Sequence, residues 1–484
     1  MKRPDNLPED HHCAWREWAE VLEERVDTLE ARLAVLERHV FGRRSEKLPA
    51  IKDQLRVGDR RNGDAAQERR RQNAEKRAEL PERLIHHRVP DDKRVCPKCG
   101  GTKLRPLGDG KTSTVYEHIT ERFERQVHVQ ETLACRCGEG IVTAEPPPKV
   151  VDKGQYGPGF IAHLITAKCG DSLPLYRLEK HYQRIGLPIA RATMVEQFHR
   201  AAELLAPISK QLLDEIAASD LVQADETPLK VQAKGKCRTS YLWTFLADKN
   251  IAYRYSPSRS GETAQKLLGG TTGALVVDAY TGYNSVVTPA GRVRVGCWAH
   301  VRRRFFDSLS AAPAAQQMLD LILALYRVEH EALALGVVRT PEHLEMRRTR
   351  SRVIVDQIKC WLDDNLDTHP PKSSIGVAIR YTLNQWDALK RFLDQPQYPL
   401  DNNTSERALR VVALGRKNFL FIGHDEAGQN IAGLYSLVAT CETHGVNPLE
   451  YLKDVLLRVQ SHPKSKIAEL LPSRWRPAPT GDSS

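Results

Sequence analysis

Residues 219–256 read SDLVQADETPLKVQAKGKCRTSYLWTFLADKNIAYRYS. Three runs rich in apolar, β-branched and aromatic residues (219–231, 240–250 and 250–258) are broken by turn-forming residues at Ala233–Lys236 and Asp248–Asn250. That alternation predicts three consecutive antiparallel strands. A short helix is expected over Gly261–Leu268, then a buried apolar strand in ALVVDAYTGY (274–283). VRVGCW (293–298) follows, and after it a basic helix in AHVRRRFFDSL (299–309).

Three antiparallel strands, a helix and a further strand give an α/β class with the order of a ribonuclease-H-like core. Residues 312–395 carry helical periodicity without strand texture and read as a helical insertion into that core. The sheet-associated pattern resumes with a helix at Asn403–Leu409, so the core domain is expected over 218–425. A small helical C-terminal domain follows over 426–465, with its compact part at 428–460, and 466–484 read as a disordered tail. Upstream, 155–215 hold two helical patterns around a turn at Gly186-Leu187-Pro188. This is the helix-turn-helix format, with Ala190–Arg200 as candidate recognition helix; a purely structural helical hairpin has the same signature.

Further toward the N-terminus, 13–42 read as a coiled-coil dimerisation segment. Ala19, Val26, Leu33 and Val40 fall at heptad position a, and Trp15, Leu22, Leu29 and Leu36 at d. Glu23, Glu30 and Glu37 occupy e while Arg25, Arg32 and His39 occupy g, so a parallel pair would set Arg25 against Glu30 and Arg32 against Glu37. Residues 43–89 form a basic linker, its first part (43–80) holding 12 Lys and Arg against 7 Asp and Glu with no apolar period. Within 90–147, Cys96-Pro97-Lys98-Cys99-Gly100-Gly101 and Cys135-Arg136-Cys137 flank strand-like sequence, the spacing of a zinc ribbon. Four thiolates on one tetrahedral Zn²⁺ make a structural site, since no position stays open for substrate. The second pair is one residue shorter than usual, and His118 or His128 are alternative ligands.

The whole chain has 484 residues, of which Lys and Arg (72) outnumber Asp and Glu (61), giving a formal net charge of +11. Such an excess favours a polyanionic partner. No apolar run nears the roughly 18 residues of a membrane helix, and the first residues lack the apolar stretch of a signal peptide. Ten Cys are too sparse for a disulfide scaffold, so a reducing cytoplasm is expected.

Chemistry is expected from carboxylates. Asp225 follows Leu-Val-Gln-Ala and Asp278 follows Ala-Leu-Val-Val, each read as the end of a strand. If the strands are neighbours the two project side by side, and a like-charge pair about 4 Å apart costs roughly 4 kcal/mol at an effective dielectric near 20. Two hard divalent cations, Mg²⁺ or Mn²⁺, would remove that repulsion and suit phosphodiester chemistry. Either Asp could equally be an ordinary turn-starting residue. For the third carboxylate two candidates stay open: Glu406, 128 residues beyond Asp278, and Asp307, only 29 beyond. Glu406 also fits a capping box with Asn403 as N-cap.

The segments FGRRSEK (41–47), CPKCGG (96–101), ADETPLKV (224–231), VDAYTGYN (277–284), CWAHVRRRFF (297–306), LDNNTSERALR (400–410), GRKNFLFIG (415–423) and AGLYSLVATCETHGVNPLEYL (432–452) resemble, in order, the insertion-sequence-66 family of bacterial transposases. The resemblance implies a leucine zipper, a zinc-finger region, a DDE catalytic core with a helical insertion, and a small C-terminal domain. It implies Asp225, Asp278 and Glu406 as catalytic residues holding two Mg²⁺ or Mn²⁺ ions, with the insertion accounting for the long gap before Glu406. In the matching motifs, His300, Arg302 and Arg303 are candidates to grip DNA near the scissile phosphate. Asn402 and Asn403 are candidates to orient Glu406, Arg410 to pair with it or a phosphate, and Arg416 and Lys417 to contact phosphates. The implied activity is cleavage at an element's terminal inverted repeats and joining of the 3′-hydroxyl to target DNA. The partners implied are double-stranded DNA, a second copy through the zipper, and accessory proteins of the same element. The expected place is the bacterial cytoplasm, at the nucleoid when active. A non-cleaving architectural derivative, and a nuclease that hydrolyses without joining, are the competing readings.

Overall fold

The computed structural model describes residues 148–151 and 154–477, together with Arg71, Glu75, Phe123, Val127 and two short strands, β1 (Thr132–Ala134) and β2 (Ile141–Thr143). The heptads, the basic linker apart from Arg71 and Glu75, the four zinc-candidate cysteines Cys96, Cys99, Cys135 and Cys137, and the residues after 477 lie outside the described residues. The chain divides into two compact units, and the sheet and helices described all belong to the larger.

Five strands form one mixed sheet: β3 (Leu221–Ala233), β4 (Lys236–Ala247), β5 (Asn250–Ser256), β6 (Gly273–Val276) and β7 (Arg292–Val295), in the order β5-β4-β3-β6-β7. The two hairpins arise where the sequence demands them. Gly235 and Asp248 both take positive φ in the connecting turns, and Ala233 pairs with Lys236 and Ala247 with Asn250. β6 and β7 run parallel to β3, reached through the helix α4 (Glu262–Leu268). β4 is buried continuously from Leu242 to Ala247, which fits a strand covered on both faces.

The covering helices come from both ends of the chain. Before the sheet lie α1 (Pro158–Cys169), α2 (Leu175–Arg184) and α3 (Arg191–Ala217). After β7 come α5 (Trp298–Ser308) and a wholly helical stretch, α6 (Ala315–Ala334), α7 (Pro341–Met346), α8 (Arg352–Leu366), α9 (Ser374–Asn384) and α10 (Trp386–Lys390). The chain then returns to the sheet as α11 (Asn403–Phe419), α12 (Asp425–His444) and α13 (Pro448–Arg458). One continuous apolar core takes in α1, α3, β3–β5, α11, α12 and α13, so the helices before and after the sheet share its interior. The α2–α3 turn has Gly186 at φ +93°, where a side chain would be strained. Beyond it α3 runs 27 residues, and buried residues from Met194 to Ala217 fasten it along its length to the core.

The helical stretch is anchored where it leaves and where it returns. Trp298, fully buried, receives the returning chain: its amide donates to the Leu400 carbonyl and its indole to that of Leu389. Arg347, 1% exposed, pairs with both carboxylate oxygens of Glu329 and donates to the carbonyls of Phe392, Gln395 and Tyr398. A buried guanidinium is tolerated only when its donors are met, and here one side chain fixes the segment leading to residue 401.

Candidate active site

Sheet register brings the two aspartates together. Gln223 of β3 and Val276 of β6 are the last pair of the two strands, so Asp225 and Asp278 each follow it by two residues, near enough for the charge of Asp278 to raise the Asp225 carboxyl. Neighbouring strands lie about 4.8 Å apart. The expectation that Asp225 ends a strand needs correction: β3 continues to Ala233 because its hairpin with β4 extends that far. Asp225 sits two residues past the last pair with β6. Its Oδ1 accepts the Glu226 amide at 2.8 Å. Burial foremost, then the charge of Glu226, with smaller contributions from Asp278 and Glu406, pushes its carboxyl up to about 7, against the Glu226 amide bond, which lowers it. The turn carrying Asp278 is held from beneath by Arg294 of β7, which donates to the carbonyls of Asp278 and Tyr280 and to Asn284 Oδ1.

Glu406 reaches the same neighbourhood on α11. The helix begins one residue earlier than the capping-box reading requires: Asn402, not Asn403, is the N-cap, and it makes no side-chain cap bond. Asp401 instead takes the amide and side chain of Asn403, and Tyr326 of α6 donates to Asp401. Asn402 is 1% exposed and its Nδ2 donates to the Ala224 carbonyl at 2.8 Å, while its amide donates to Cys297 Sγ. The residue before Asp225 is thus tied directly to the start of the helix bearing Glu406.

The other predicted site residues divide. His300 Nε2 lies 3.8 Å from Glu406 Oε1 and Arg303 3.5 Å from Oε2, so this basic pair of α5 faces the carboxylate. Arg302 is turned the other way and enclosed; burial lowers its pKa and the Tyr326 phenol is its neighbour. As a DNA contact it is corrected: an enclosed side chain is not offered to a duplex. Arg410 is exposed, and the ion pairs of Glu406 go to His300 and Arg303. Arg416, half-buried, ties α11 to β3 through one guanidinium nitrogen, which donates to Thr227 Oγ1 and the Pro228 carbonyl. Lys417 beside it is exposed.

Chemically the three carboxylates suit a hard divalent cation. Two features of this structure fit one: Glu406 Oε1 is buried without a hydrogen-bond partner, and Asp225 is crowded by negative charge. Among the described residues, no three His, Cys, Asp or Glu side chains stand close enough together to hold an ion as they are; Glu406 is turned toward His300 and Arg303.

Residues 153–430 match the family described as Transposase IS66 family, over more than half of the chain. The chain belongs to that family. Residues 93–138 match the zinc-finger binding domain of transposase IS66, and 436–473 the IS66 C-terminal element. Two similar proteins of Sinorhizobium fredii, both called uncharacterized, are y4hP and y4jD. The first is 28% identical over 93% of this chain and 89% of its own length; the second is 29% identical over 100% and 99%. This IS66-family chain therefore carries a zinc-finger domain that spans Cys96, Cys99, Cys135 and Cys137. Among the described residues no helix is long and apolar enough to cross a membrane.

Proposed function

We propose that this IS66-family protein is a DDE transposase with a ribonuclease-H-like catalytic core. It cleaves the ends of its element and joins the freed 3′-hydroxyl to target DNA. What supports the reading is that three acidic residues from distant parts of the chain lie near enough for the charges of Asp278 and Glu406 to act on Asp225. Two follow the last pair of the parallel strands β3 and β6, and the third lies on a helix whose N-cap bonds to Ala224. The strand order β5-β4-β3-β6-β7, with β4 alone antiparallel to the other four, supports the ribonuclease-H-like assignment.

Asp225, Asp278 and Glu406 would hold two Mg²⁺ or Mn²⁺ ions, whose charge would offset the carboxylate repulsion and activate the attacking and leaving oxygens. The protein's own part is placement. The strands β3 and β6 carry the aspartates, Asn402 ties the start of α11 to β3, and His300 and Arg303 face Glu406, with Arg303 presenting positive charge to an entering phosphodiester. One phosphodiester is exchanged for another, so no external energy source or covalent protein–DNA adduct is required.

Recognition of the ends falls to the zinc finger and the α2–α3 pair. Because α3 is packed into the core along its length, DNA held at its first turns would sit at a fixed distance from the carboxylates. Lys417 and Arg410, both exposed, add salt-dependent affinity. The heptads pair two copies, bringing two ends into one complex. Glu406's engagement with His300 and Arg303 favours, as a second reading, a form that binds DNA without cutting it.

The test is incubation of the full chain with end-containing DNA, target DNA and Mg²⁺. Joined product is expected from the wild type, and bound, uncut DNA from Glu406→Gln with an unchanged circular-dichroism spectrum. Cut but never joined DNA would mean a nuclease, and binding without cutting in the wild type the architectural form.

A further inference from the structure

We infer that Glu226, the neighbour of Asp225, is a positioning residue that locks the Asp278 turn into place. The inference rests on the reading of Asp278 as a cation-holding residue. Successive strand residues face opposite ways, so Glu226 is not presented to the side on which Asp225 and Asp278 meet. Its side chain is only 2% exposed, an expensive place for a carboxylate unless its oxygens are occupied. Both are. Oε1 accepts from Arg259 Nε at 2.8 Å and from its terminal nitrogen at 2.6 Å, and Oε2 accepts from the Tyr283 hydroxyl at 2.7 Å.

Each donor leads back to Asp278. The Arg259 guanidinium lies 4.1 Å over the Tyr280 ring, and the Tyr280 hydroxyl donates to the Arg259 carbonyl. The Tyr280 amide in turn donates to Asp278 Oδ1 at 2.9 Å. Tyr283, fully buried, closes the other arm, its ring edge-on to Trp243 at 5.4 Å and to Tyr280 at 6.0 Å. The two loops touch through backbone: a Cβ on Gly261 would lie 2.2 Å from the Gly282 carbonyl oxygen, so this approach admits only glycine there. Glu226 therefore joins β3, the Arg259 loop and the Asp278 turn, while Arg294 supports the same turn from β7. This accounts for the tyrosines, glycine and asparagine of VDAYTGYN, which the carboxylate chemistry alone leaves idle.

The experiment measures Mn²⁺ binding to the full chain from the free-ion electron paramagnetic resonance signal, beside end cleavage across a Mn²⁺ series. Wild type, Glu226→Gln, Tyr283→Phe and Asp225→Asn are compared, with thermal melts to confirm folding. Removing an outer-shell partner typically weakens metal affinity about 10–100-fold, and a shift of that size is expected for Glu226→Gln, with a smaller one for Tyr283→Phe. Cleavage at saturating Mn²⁺ should return to near the wild-type rate, because the reacting groups are intact. Wild-type affinity in both Glu226→Gln and Tyr283→Phe would overturn the inference. So would loss of activity in Glu226→Gln that saturating Mn²⁺ does not restore, which would make Glu226 a ligand itself. Equal binding by wild type and Asp225→Asn would instead overturn the reading of the site on which this inference stands.

Discussion

The two halves of the acidic site are built in different ways. Asp225 and Asp278 are set by backbone: each follows the last pair of two parallel strands by two residues, and bonds to Arg294 and Glu226 hold the turn that carries Asp278. Glu406 is set by side chains. It arrives after a long helical detour and is located by Asn402 on Ala224, Arg416 on Thr227 and Pro228, and the pairing with His300 and Arg303. A register shift would move every residue of a strand to the other face, so the first half is fixed by the fold as a whole. The second depends on a few contacts that can be broken one at a time. Adjustment of the site on loading is therefore expected on the glutamate side.

The strongest way to break this comparison is Arg347→Ala. It takes the guanidinium from Glu329, leaving that carboxylate His343 at 3.2 Å, and frees three carbonyls in the segment that delivers Glu406. Removing one partner of a buried pair costs about 3–5 kcal/mol, to be read by denaturant unfolding. The variant should lose cleavage while keeping the sheet's hydrogen-exchange protection.

Asp225→Asn tests the aspartate side. The folded carboxyl, pushed up to about 7, keeps its proton where the unfolded chain has released it. In ion-free buffer this group's contribution to stability falls as pH rises from about 4 to about 7, and the penalty is full above that. Asn carries no such penalty, so the variant should be more stable than wild type at pH 8, by up to about 4 kcal/mol, and equal to it at pH 4. Thermal melts across pH decide it. Adding Mg²⁺ should narrow the difference.

Asn402→Ala sharpens the glutamate side. The Ala224 carbonyl loses its buried donor, at a cost of about 1–3 kcal/mol, and cleavage should fall more than Mn²⁺ affinity, since the aspartates stay in register. Smallest of all, Arg410→Ala and Lys417→Ala should change stability by under about 0.5 kcal/mol yet flatten the salt dependence of DNA binding.

Much of the aspartate half was legible in the sequence. Alternating apolar residues and turn-forming glycine and aspartate mark the hairpins, and the apolar runs before Asp225 and Asp278 mark the two parallel strands. What misled was Asp225's place within β3, because hairpin length is settled by the partner strand. The glutamate half was legible only through family resemblance. The Asn402–Ala224 bond spans 178 residues, and no local pattern announces it. The capping-box pattern at Asn403 was outcompeted by Asp401, which takes Asn403 for itself. One signal was available: His300 and Arg303 are three apart on a helix and share a face, whereas Arg302 points away toward α6. Glu226 was hidden in plain view beside Asp225, since a two-residue acidic pair on a strand does not say which member faces the site.

Three acidic residues from two differently built halves are proposed to act as one cation-dependent site. The most direct measurement is Mn²⁺ binding to the wild type and to Asp225→Asn, Asp278→Asn and Glu406→Gln, each beside end cleavage. Loss of cleavage in all three variants, with weakened Mn²⁺ binding in each and intact folding, is the predicted result. Wild-type cleavage and Mn²⁺ affinity in Glu406→Gln would contradict it.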